Sequence, residues 1–187
     1  MTSTKVRLLV FSLCIQAQAF AGEKTETFST PAGPVTSTTQ TVDPVPQQIT
    51  VVSPSEARRF KQFAGKADDF VAAYLGAGTK ASLETLDLAF RRWQTTPKPK
   101  FSNDEVVQIL GAFLGNRLVS DLGMEWVTVR DQDGTDYAVR SKRVEVIAYP
   151  FSSVLKRIEK SQFDFMAILF YAVERRIKED RAKPRSR

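Results

Sequence analysis

Apolar residues downstream of position 53 recur at three-and-four spacing, and that rhythm is broken once, between residues 124 and 149, by an alternation of period two. The switch predicts helices, then a small sheet, then helices again. Ser53-Pro54-Ser55-Glu56 supplies a capping hydroxyl, a proline at the first helical position and a reciprocal Glu, so a helix starts there. Its inner stripe is Phe60, Phe63, Ala64, Ala67, Phe70, Val71 and Tyr74, and Gly76 and Gly78 stop it. A second helix from Thr79 or Ser82 carries Leu83, Leu86, Phe90 and Trp93. Another capping box, Ser102-Asn103-Asp104-Glu105, opens a third, with Val106, Ile109, Leu110, Phe113, Leu114 and Leu118 before Gly123.

The period-two region reads as an antiparallel three-stranded meander, with strands at 124–130, 135–140 and 143–149 and a turn at 131–134. Pro150-Phe151 opens a helix to about Lys160. Ser161-Gln162-Phe163-Asp164 is expected to cap a last helix bearing Phe165, Ile168, Leu169, Ala172 and Ile177. The predicted class is therefore α+β: N-terminal helices, a three-stranded antiparallel meander, then two C-terminal helices. Gly111 and Gly115, one turn apart on the third helix, let a neighbour approach closely. Trp126 is expected to be buried there, near Leu110, Phe113 and Leu114, filling space that the glycines leave; the alternative is an exposed ligand-stacking ring.

The N-terminus has a different character. Lys5 and Arg7 precede the apolar run of residues 8–15, which is too short to span a bilayer, and small-residue sites follow at Ala17-Gln18-Ala19 and Ala19-Phe20-Ala21. This is the pattern of a cleavable signal peptide over 1–21, giving a periplasmic or secreted chain that begins at Gly22. Cys14 is preceded by Phe11, Ser12 and Leu13 rather than the small residues of a lipidation site, so it reads as part of the apolar run. Residues 22–53, rich in Thr, Ser, Pro and Gln, predict a flexible linker in which Ile49 to Val52 has the makings of a short edge strand. A single domain over 54–178 and a basic tail over 179–187 complete the expected organisation.

Composition narrows the chemistry. The chain has 187 residues, one cysteine and no histidine. With the signal removed, thiolate or imidazole zinc sites, haem ligation by His, Fe–S clusters, Ser-His-Asp triads, Cys-His nucleophiles and disulfides all lack their side chains. A fold without crosslinks has to rest on its apolar core. No metal, cofactor or catalytic residue is expected on these grounds. No second apolar run long enough for a transmembrane segment follows.

Three patterns invite more. Asp131-Gln132-Asp133-Gly134-Thr135-Asp136 has the look of a calcium loop, but placing Gly134 at the sixth position puts Val129 first and Arg140 twelfth, where carboxylates belong; Asp-Gly is also a hairpin turn signal. Ser153-Val154-Leu155-Lys156 has the spacing by which a lysine activates a serine, without the companion S-D-N or K-T-G, and reads as a first helical turn. Glu125, Asp136 and Glu145 lie on the strands, and two carboxylates facing a cleft suffice for glycan hydrolysis. Beside Arg130, Arg140, Lys142 and Arg143 they read instead as a solvated sheet face.

Charge changes the picture little. The formal net charge of +6 falls to +4 without Lys5 and Arg7, and residues 175–187 alone hold seven basic side chains against Glu179 and Asp180. The excess is a tail, attracted at most weakly to anionic surfaces, and without interleaved aromatics it predicts no nucleic-acid partner.

The run Leu110-Gly111-Ala112-Phe113-Leu114-Gly115, then Leu122-Gly123-Met124-Glu125-Trp126-Val127, Asp133-Gly134, and Pro150-Phe151-Ser152-Ser153-Val154-Leu155-Lys156 resembles an uncharacterised bacterial domain family over roughly residues 83–175. That resemblance implies a small exported α+β domain and no established activity. The function expected from all this is a non-catalytic binding or interaction protein, of inhibitor or immunity type, with another exported or envelope protein as partner. The alternative is a carboxylate-dependent hydrolase acting on an envelope polymer.

Overall fold

The computed structural model describes residues 22–30, 33–41, 47–132 and 134–182, and the predicted signal peptide lies outside them. The chain divides into two compact units, Met1–Val45 and Pro46–Arg187. In the first, β1 (Gly22–Thr30) and β2 (Gly33–Thr41) pair antiparallel, Thr25 opposite Thr38 and Thr27 opposite Thr36. This is where a flexible linker was expected. The physical reason is that Thr at alternate positions suits extended backbone, however little apolar surface the segment carries.

The second unit is built from β3 (Gln48–Val51), α1 (Pro54–Ala64), α2 (Ala67–Leu75), α3 (Leu83–Thr95), α4 (Asn103–Leu122), β4 (Glu125–Asp131), β5 (Gly134–Arg140), β6 (Ile147–Ala148), α5 (Pro150–Glu159) and α6 (Met166–Ala182). The α+β class holds. The sheet, however, has four antiparallel strands in the order β3-β4-β5-β6 rather than three. The segment around Ile49 is the added edge strand, with Ile49 opposite Val129 and Val51 opposite Val127. At the other edge, the strand expected over 143–149 shrinks to Ile147–Ala148, because Ser141 N–H bonds the Val146 carbonyl at 2.9 Å and turns the chain before it can pair.

Two helix boundaries also differ. The first predicted helix breaks at Gly65 and Lys66 into α1 and α2. Glycine weakens the helix there, and the break lets the two halves meet different aromatic neighbours within one core. Phe60 on α1 meets Trp126 at 4.6 Å between ring centroids, whereas Phe70 on α2 meets Phe101 at 5.3 Å. The second difference lies at α6, which the Ser161 to Asp164 stretch does not cap. Asp87 on α3, 6% exposed, accepts the backbone N–H groups of Phe165, Met166 and Ala167 at 3.0, 3.0 and 3.2 Å. A carboxylate at a helix N-terminus satisfies donors that have no partner within the helix. Burial pushes the Asp87 carboxyl up, against the downward pull of those three N–H groups.

The capping boxes at Ser53 and Ser102 form as expected, and Ser82 with Thr85 makes another at the start of α3. The main core lies between the helices and one face of the sheet, with Leu86, Phe90, Leu110, Leu114 and Leu118 fully buried. The other face is not the solvated surface expected. Val127, Val129 and Ala138 are buried there, with Ile49, Ile147 and Tyr149 packed against them.

Candidate functional site

Alternation along β4 and β5 puts opposite chemistry on the two faces of one hairpin. Trp126 and Val139 are cross-strand neighbours on the helix side, as are Thr128 and Tyr137. Glu125 and Arg140, Val127 and Ala138, and Val129 and Asp136 share the other side.

The helix side is closed. Trp126 is 6% exposed, its Nε1 donates to Asn116 Oδ1 at 3.0 Å, and its ring stacks on Phe151 at 5.6 Å. A Cβ added at Gly115 would lie 2.1 Å from Trp126 Cζ2, and one at Gly111 would lie 2.5 Å from Phe151 Cδ1. Each glycine is therefore the footprint of one ring, as the spacing of the pair implies. The ligand-stacking reading of Trp126 falls with this burial.

Tyr137 sits at the rim of the same cluster. Its hydroxyl donates to Glu56 Oε1 at 2.7 Å, joining β5 to the first turn of α1. That bond, with those from Ser53, holds the Glu56 carboxyl down to about 2, and the Glu56 carboxylate in turn raises the Tyr137 phenol.

The opposite side opens at the hairpin end into a cleft of about 760 Å³, walled by β4–β5, by the start of β6–α5, and by α6. Its polar lining includes Asp131, Asp136, Tyr149, Ser152, Lys156 and Arg157. The entry into α5 brings the walls together. Phe151 contacts Trp126 on one face of the hairpin while Ser152, next in the chain, donates its Oγ to Asp136 on the other. That bond sets a carboxylate beside the first turn of α5, whose N-cap residue Tyr149 offers no side-chain cap. Gln47 Nε2 donates to Asp131 Oδ2 at 3.2 Å. Burial and the charges of Asp131 and Asp136 raise the Tyr149 phenol, so its hydroxyl stays protonated through the neutral range.

The three strand carboxylates do not converge. Glu125 lies at the far end of β4, bound by Arg140 Nε at 3.0 Å and by Lys142 Nζ at 3.6 Å. Four residues separate it from Val129, the partner of Asp136, which is roughly 13 Å along a strand. Glu145 is exposed in the turn before β6. The carboxylate that does share the cleft with Asp136 is Asp131, a residue the sequence placed only in the turn. Its signal was register: with Asp131 opposite Gly134, Asp131 and Asp136 are diagonal neighbours on one face, about 7 to 8 Å apart.

Of the other sequence patterns, Ser153 and Lys156 both line the cleft, but no hydrogen bond joins them among the described residues. The middle of the predicted calcium loop, Asp133, lies outside those residues, and no group of three or more metal-ligating side chains occurs among them. No described helix is long and apolar enough to cross a membrane. The start of the expected basic tail, through Ala182, is the end of α6.

Residues 84–169, from α3 to α6, match the family model described as Domain of unknown function (DUF3806), in agreement with the resemblance carried by the glycine and aromatic positions. No curated protein matches the chain. A crystal structure from Bacteroides thetaiotaomicron VPI-5482 is similar in fold, with a TM-score of 0.53 over 81% of this chain and 69% of that one, at 14% sequence identity.

Proposed function

We propose that this is a non-catalytic binding protein that holds a polar ligand, or a polar segment of another exported protein, in the cleft beside the β4–β5 hairpin. The observation that carries the reading is the cleft's lining. A volume of about 760 Å³ is that of a small-ligand site, and its polar groups of both signs converge from three different elements. Hydrolysis by a carboxylate pair needs one group on each side of the bond being broken. Asp131 and Asp136 stand on the same wall, and Asp136 is engaged by Ser152.

Ser153→Trp, a substitution into the cleft wall, tests the reading. Ligands or partners from an envelope extract that raise the melting temperature of the native protein are expected to leave the variant unmoved. Equal shifts for both proteins would place binding elsewhere and overturn it.

The hydrolase alternative keeps one observation, the diagonal pair Asp131 and Asp136 in a concave site. It requires turnover of an envelope glycan that disappears in both Asp131→Asn and Asp136→Asn. Export belongs to the same proposal. Mass spectrometry of protein recovered from outside the cytoplasm is expected to find Gly22 as the first residue, and an intact Met1 there would refute cleavage after Ala21.

A further inference from the structure

We propose that the cleft takes a short peptide with both ends free, its α-ammonium held at Asp136 and its α-carboxylate at Lys156. This rests on the reading of the cleft as a binding site and adds the ligand class. Three features of the cleft select that class.

The first is charge of both signs on different walls. Asp131 and Asp136 belong to the hairpin, whereas Lys156 and Arg157 belong to α5. Neither cation forms a salt bridge with an acidic side chain among the described residues, and Arg157 is steadied instead by the Phe165 ring, 5.5 Å from its Cζ. A ligand with one sign of charge meets repulsion from one wall, and an uncharged sugar leaves both pairs unused. A zwitterion satisfies both.

The second is spacing. Ser152 donates to Asp136, and Lys156 is four residues further along α5, so the backbone that carries the lysine stands about one helical turn, or ~6 Å of rise, beyond the hydroxyl that engages the carboxylate. A dipeptide spans about 7 Å when extended. A single amino acid, with its charged groups on one carbon, meets both only when the Lys156 stem folds back toward Ser152, whereas a dipeptide also reaches the ammonium of an extended stem. The Ser152 hydroxyl occupies one acceptor site of the Asp136 carboxylate, which has about four, so an ammonium still finds room.

The third is an apolar floor. Val129, Ile147, Leu169 and Val173 line the cleft between the charged walls, and they offer a surface for one aliphatic side chain of the bound peptide.

Isothermal titration of the full chain with the dipeptide Ala-Leu, its N-acetyl form, its C-terminal amide and the neutral sugar maltose tests the assignment. Ala-Leu is expected to bind, with each blocked form at least tenfold weaker. Asp136→Asn should lose the discrimination against acetylation, and Lys156→Gln, an exposed change that leaves the fold alone, should lose the discrimination against amidation. Equal affinity for free and blocked peptides overturns the inference, as does silence with Ala-Leu. Maltose binding in place of the peptide also overturns it, yet leaves the cleft standing as a site; the Ser153→Trp comparison decides that separately.

Discussion

The two faces of the β4–β5 hairpin, a few ångströms apart, are organised by opposite rules. On the helix side, Trp126, Phe60, Tyr137 and Phe151 meet ring to ring at 4.6 to 6.2 Å, over two glycines whose missing side chains admit them. On the cleft side, Asp136 is tied to one hydroxyl, Tyr149 keeps its proton, and Lys156 projects without an acidic partner among the described residues. Packing accounts for the rings of the first face. On the second it accounts for Val127, Val129 and Ala138 but not for the hairpin end, where charged groups are gathered around the cleft. Chemistry that the fold does not use is where a ligand is to be sought.

By that contrast, the largest effects of substitution fall on the helix side. Trp126→Ala should remove about 3 to 5 kcal/mol of stability, as for other buried aromatics, and it also takes the donor from Asn116 Oδ1. Chemical denaturation measures this directly. A loss below about 1 kcal/mol would mean that the aromatic cluster rearranges freely, and the contrast between the faces would collapse.

Gly115→Ala probes the same junction from the helix. Alanine in place of glycine gains about 1 kcal/mol of helix propensity, but its Cβ would meet Trp126 at 2.1 and 2.2 Å, and overpacking of this kind costs about 1 to 3 kcal/mol. The net effect is destabilising by up to about 2 kcal/mol. In a Trp126→Ala background the clash is gone, so the same change should become stabilising. That reversal in a double-mutant cycle distinguishes close packing from a general intolerance of change in α4.

These features differ in how far the sequence revealed them. The glycine pair, Trp126 and the Ser53 and Ser102 caps were legible because each is a local pattern with one physical meaning. The cap of α6 was not, because its acceptor is Asp87, 78 residues before Phe165. A charged residue at a helical position that faces the core was the available clue, and its partner is invisible without the fold. The cleft was hidden for a related reason. Asp131 looked like turn chemistry and Asp136 like a solvated strand residue; only the register that sets them on one face, and the turn into α5 that brings Ser152 to Asp136, make them a site. The edge strand Gln48–Val51 was glimpsed in its own apolar run, but its partner β4 lies some 75 residues on, and nothing local names it.

Tyr137→Phe tests the rim of the closed face with a smaller and pH-dependent effect. The Tyr137 hydroxyl helps hold the Glu56 carboxyl down from 4.5 to about 2. A depressed acid stabilises the fold above its unfolded value and loses that contribution as pH falls toward the folded one, so the window lies between pH 4.5 and 2. At neutral pH the variant should lose about 1 kcal/mol, a figure reduced for the partial exposure of Glu56. Its stability should also decline less steeply than that of the native protein as the solution is acidified through that window. Parallel acid limbs for the two proteins would show that the bond between Tyr137 and Glu56 contributes little.

The smallest effect is expected where function is proposed. Lys156 is exposed on α5, bonds no acidic side chain among the described residues, and lies one turn beyond the hydroxyl that engages Asp136. Lys156→Gln keeps the helix propensity and the length of the stem while removing the charge, so stability should stay within about 0.5 kcal/mol of the native value. No buried side chain on the helix side of the hairpin could be changed so cheaply. The lysine earns its position only if something outside the chain uses it: an intact melting curve together with weakened ligand binding assigns it to recognition. A fall in stability beyond that margin would instead make Lys156 a structural counter-charge to the hairpin carboxylates, and the cleft would become a second packed face built from ions rather than rings.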